Sequence, residues 1–95
     1  MKLLTVDFIK KNSTEHPLGR GRVFNMEIGD YFLSIVGGAT GLYGDFENNF
    51  EVALFDSKTG NFVTSLFTKR GDDVLPYATI DEINDMYLTI PRLKK

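Results

Sequence analysis

Along Arg22–Ile28 the apolar residues Phe24, Met26 and Ile28 stand at every second position, Asn25 and Glu27 lie between them, and the run stops at Gly29 and Asp30. A repeat of two belongs to an extended chain with one dry face and one wet face, so this segment asks for a paired strand rather than a helix. The partner follows at once. Residues 31–36 form a second apolar run, and a Gly-X pair between two such runs suits a two-residue type II′ hairpin, because glycine accepts the positive φ of its first central position.

The same reasoning extends along the chain. In residues 2–9, Leu4, Val6 and Phe8 alternate with Thr5 and Asp7, which predicts a first strand. Residues 10–21 gather Asn12, Ser13, Pro17, Gly19 and Gly21 among charges and read as a surface loop. Residues 37–49, with four glycines, form the longest irregular stretch. A second hairpin is expected from Phe50–Asp56 and 61–68, turning through Ser57, Lys58, Thr59 and a left-handed Gly60. Its predicted dry face carries Phe50, Val52 and Leu54 opposite Phe62, Thr64 and Leu66. Residues 69–78 read as another loop.

A helix is predicted from Thr79, where the Thr79 hydroxyl and Glu82 have the spacing of a reciprocal capping box. Ile80, Ile83, Met86, Tyr87 and Ile90 recur at intervals of three and four and mark a core stripe, while Asp81, Glu82, Asn84 and Asp85 face out. Pro91 ends it. These segments predict one α+β domain over residues 1–95: an antiparallel sheet of four to five strands built from consecutive hairpins, packed by one C-terminal helix.

Composition limits what such a domain does. The chain has no cysteine, which removes disulfides, thiolate nucleophiles and cysteine-based zinc sites together and points to the cytoplasm. Charged residues interrupt the apolar start, so neither a signal peptide nor a membrane span is expected. A net charge of −2, from 11 basic and 13 acidic residues, is too balanced to demand a polyanion, so electrostatic function must come from local patches.

No catalytic set is legible, no cofactor is implied, and the expectation is a protein that is not an enzyme. The glycine stretch from Gly37 to Gly44 follows a strand, but Ala39 stands where a phosphate cradle needs glycine and no Lys-Ser/Thr pair follows. His16 is the single histidine and cannot build a histidine metal site. Asp45, Glu47, Asp72 and Asp73 would hold a hard cation only if their loops met, and they lack the spacing of a calcium loop. No metal site is therefore assigned.

Two binding readings are carried forward. Leu42, Tyr43, Asp45, Phe46 and Glu47 lie in a loop longer than a hairpin requires, and large apolar groups on such a loop suit capture of another protein. The alternative is a small nucleic-acid-binding regulator using Lys10, Lys11, Arg20 and Arg22, with Phe8 and Phe24 assigned to the core by their alternation. An exposed sheet edge also offers a route to a homodimer.

The run FEVALFDSKTGNFVTSLF, residues 50–67, followed by TIDEINDMYLTI, residues 79–90, resembles the hairpin-then-helix ending of small accessory proteins of bacterial viruses and prophages, some of them anti-CRISPR or other anti-defence inhibitors. The resemblance implies a stoichiometric inhibitor of a host defence protein, acting in the host cytoplasm with no chemistry of its own. It transfers no site residue.

Overall fold

The computed structural model describes residues 3–15, 21–39, 44–67 and 73–92. They form helix α1 (Val6–Lys11), strands β1 (Thr14–Glu15), β2 (Arg22–Ile28), β3 (Tyr31–Gly37), β4 (Phe50–Asp56) and β5 (Leu75–Ala78), and helix α2 (Ile80–Thr89). The five strands make one antiparallel sheet in the order β1-β2-β3-β4-β5. The predicted α+β architecture of hairpins and a C-terminal helix is the observed one.

The β2–β3 hairpin closes as its glycine requires. Ile28 pairs with Tyr31, leaving Gly29 and Asp30 as the turn, and Gly29 alone of the two has positive φ, at +60°. That register aligns Phe24 with Ile35 and Val52, and Met26 with Leu33 and Leu54, across three strands. Both helices cover this face, where Ile9 of α1, Ile83 and Met86 of α2, and Ile90 just after it join Leu33, Ile35, Phe50, Val52 and Leu54 in one sealed core. Each such side chain contributes about 1.5–3 kcal/mol relative to full exposure.

Helix α2 begins as predicted. Thr79 Oγ1 accepts from the Glu82 N–H while Glu82 Oε1 accepts from the Thr79 N–H (3.1 Å), and Asp81 and Glu82 occupy the first turn. The α-helical turns end at Thr89, and Ile90–Arg92 tightens into a 3₁₀ turn around Pro91. Asn84 departs from expectation. It is buried, its Oδ1 accepting from the Leu4 N–H (2.8 Å) and its Nδ2 donating to the Leu4 carbonyl (2.9 Å), so it pins the N-terminal segment to the helix.

Four other expectations are corrected, the first being the surface loop over residues 10–21, where α1 runs on to Lys11 and Thr14–Glu15 pairs with β2 as strand β1. The alternating start is not a strand: Thr5 caps α1 by accepting from the Phe8 N–H (3.1 Å), with Asp7 in the first turn and Lys10 and Lys11 in the last, an arrangement that matches the helix dipole. Leu4 and Ile9 are buried instead, while Phe8 is 47% exposed and meets Phe24 edge-on at 5.9 Å. The predicted loop before α2 contains β5, an edge strand that tolerates Pro76 because an edge position needs no ladder N–H there.

The second hairpin is real only at its turn. Asp56 Oδ1 accepts from the Lys58 and Thr59 amides, Gly60 takes a φ of +74°, and Phe55 bridges Phe62, but residues 61–67 do not continue as a strand, and the last residue of the expected one, at 68, lies outside the described residues. The Thr64 hydroxyl explains the stop. The Leu54 carbonyl still accepts from the Val63 N–H (2.8 Å), but the Leu54 N–H donates to the Thr64 hydroxyl (2.8 Å) in place of a main-chain acceptor, and Thr64–Leu66 then coils into a 3₁₀ turn. Phe62 and Leu66 are thus exposed instead of facing Phe50, Val52 and Leu54.

Candidate functional site

The register that buries one sheet face lays out the other. Glu27 pairs with Phe32, Phe32 with Phe55, and Phe55 with Phe62, so one acid and three aromatic side chains form a cross-strand row on the face away from the helices. The rings touch in sequence, with centroids 6.2 Å apart for Phe32 and Phe55 and 4.6 Å for Phe55 and Phe62. Beside this row run Asn25, Ser34 and Ala53, then Val23, Val36 and Glu51. No described helix or strand covers this face. Phe32, Val36 and Phe55 are half-buried, and Phe62 is 47% exposed.

Two turns build the end of the row. Ser57 N–H donates to the Asp30 carbonyl (2.9 Å), tying the β2–β3 turn to the turn after β4. Between them lies an open depression of about 380 Å³ lined by Glu27, Phe32, Phe55, Asp56, Ser57 and Gly60.

The loop singled out in the sequence behaves differently from its expected role. Leu42 and Tyr43 lie outside the described residues. Phe46 is buried at 4% exposure and packs its ring on Phe50 at 5.1 Å, so it serves the core and offers nothing to a partner. Its φ of +61° is costly for a bulky residue, and the loop holds it there: Phe46 N–H donates to the Asn49 carbonyl, and Asp45 organises the turn. Asp45 Oδ1 accepts from the amides of Glu47, Asn48 and Asn49 at 2.8, 2.8 and 3.1 Å. These backbone donors, Glu47 first, lower its pKa from 3.8 to about 2.

Glu47 pairs with Lys10 at 2.7 Å, linking this loop to α1. The same contact occupies one of the bases expected to meet nucleic acid. Arg22 is also engaged, donating from Nε to the Ser13 hydroxyl (3.0 Å) and from its guanidinium to the Ser13 carbonyl (2.6 Å). Lys11 is exposed, and Arg20 lies outside the described residues. Of the acidic residues considered for a cation, Asp72 lies outside as well, and among the described residues no three His, Cys, Asp or Glu side chains converge. His16 is likewise outside.

The sheet edges are short or interrupted. β1 has two residues, and β5 has four, including Pro76 without an N–H and Tyr77 at a φ of +54°. Either makes a poor template for another strand. Among the described residues no helix is long and apolar enough to cross a membrane.

The continuous pairing expected of residues 61–68 puts Phe62 on the core face and so conceals the aromatic row in the sequence. Its signal was present in the spacing: Phe32 and Phe55 sit out of phase with the buried residues of their own strands. No protein-family model, curated protein or solved structure matches this chain, so its own residues carry the functional argument.

Proposed function

We propose that this chain acts by binding another protein through the open sheet face, without chemistry of its own. One observation supports this reading above the others: Phe32, Phe55 and Phe62 form a contiguous aromatic row that no described element covers. Large rings held on a sheet lose little conformational freedom on docking, and aromatic side chains dominate the energetics of protein interfaces. The loop first considered for this role places Phe46 in the core. By the resemblance of its second half, the bound protein is a bacterial defence component whose working surface is occluded.

Phe62→Ser tests the face at its most exposed ring. The ring contact with Phe55 is worth about 0.5–1.5 kcal/mol beyond the area it buries, and Phe62 is half exposed, so the variant is expected to fold. Leu66→Ser removes a side chain of similar exposure outside the row. Affinity capture from bacterial lysate should retain a specific protein with the wild type and Leu66→Ser, and lose it with Phe62→Ser. Equal capture by all three would refute the face. Expression in a bacterium with an active defence system should raise the plating efficiency of a targeted virus, and no rise across defence types would remove the inhibitor role.

A further inference from the structure

Resting on the docking reading above, we infer that the depression at the Glu27 end of the aromatic row is an anchor site for an arginine side chain of the bound protein. Its walls combine two kinds of surface. Phe32 and Phe55 supply ring surface, Glu27 stands exposed beside Phe32, and the Asp56 carboxylate is fixed in the wall by the Lys58 and Thr59 amides. A guanidinium matches both, because it is planar, stacks on aromatic faces and bonds a carboxylate through parallel N–H groups. Its three-carbon stem lies against the rings while the charge meets Glu27.

Other occupants fit less well. A neutral apolar side chain would cover Phe32 and Phe55 but take water from Glu27 without replacing it. A nucleic acid would bring phosphates toward two carboxylates. A second copy of the chain would present its own Glu27 and Asp56 in the same row, and among the described residues no cation lines the depression. Charge complementarity therefore selects a cationic segment.

The site can be tested without the partner. N-acetyl-arginine amide, titrated into the nitrogen-15-labelled protein, should shift the amides of Glu27, Phe32, Phe55, Ser57 and Gly60 saturably, and N-acetyl-norleucine amide should shift them far less. Glu27→Gln keeps the shape of an exposed side chain and should weaken the arginine probe about fivefold, the upper range for an exposed ion pair. An equal response to both probes, or an unchanged response in Glu27→Gln, overturns the arginine assignment while leaving the docking face in place. Absence of saturable shifts with the arginine probe overturns the anchor site, and the docking reading is then judged by Phe62→Ser, which leaves Glu27 untouched.

Discussion

Two polar residues hold this structure in ways that their chemistry makes measurable. Asn84 satisfies both main-chain groups of Leu4 from within the core. Asn84→Ala leaves a buried donor and acceptor without partners, a loss of about 1–3 kcal/mol in urea unfolding, whereas Asp85→Ala, one residue on and exposed, should change stability by no more than about 0.5 kcal/mol. Asp45 acts through charge. Its pKa is about 2 in the folded chain against 3.8 ordinarily, so the folded state binds its proton less readily than the unfolded state. The resulting stabilisation is present above about pH 4 and disappears as pH falls toward about 2. Asp45→Asn keeps an acceptor oxygen but removes the charge. The melting-temperature gap between wild type and this variant should be steady near neutrality and close on acidification; a gap constant to about pH 2 would assign the effect to geometry alone.

Turns and caps show how far local sequence decides an element. Gly29 and Gly44 look alike in the sequence yet answer to different forces. A Cβ at Gly29 meets nothing within 4 Å, so Gly29→Ala pays only for its φ of +60°, about 1–2 kcal/mol. At Gly44 a Cβ would stand 2.6 Å from the Phe50 Cα. Main chain against main chain has no rotamer to yield, and Gly44→Ala should cost about 3 kcal/mol or more. Chemical denaturation of both variants checks the order, and a reversal would mean that the loop moves away from β4 without loss. The Thr79 cap and the Gly29 turn were legible because donor, acceptor and φ all lie within four residues. The Thr5 cap was present as well, but alternation of Leu4, Val6 and Phe8 concealed it. Six residues are too few for periodicity to separate a helix from a strand, and burial of Leu4 and Ile9 decided the matter.

At the scale of the molecule, a single sheet with both helices on one side has no described helix or strand on its other side. That asymmetry places Phe32, Phe55 and Phe62 in a row, the surface through which binding is proposed. By itself the sequence determined the hairpin at Gly29, the turn at Gly60, the capped C-terminal helix and the α+β class, since each follows from φ preferences, short-range hydrogen bonds or the repeat of apolar residues. The tertiary structure alone decided that Phe46 is core, that Asn84 is buried and that Phe62 joins the open face. Those outcomes depend on contacts between residues far apart in the chain: Asn84 reaches back to Leu4, and the Thr64 hydroxyl ends the pairing of β4 before a second long strand forms. Local preference limits what each segment can become; competition for the same buried face settles which side chains enter it and which stay outside.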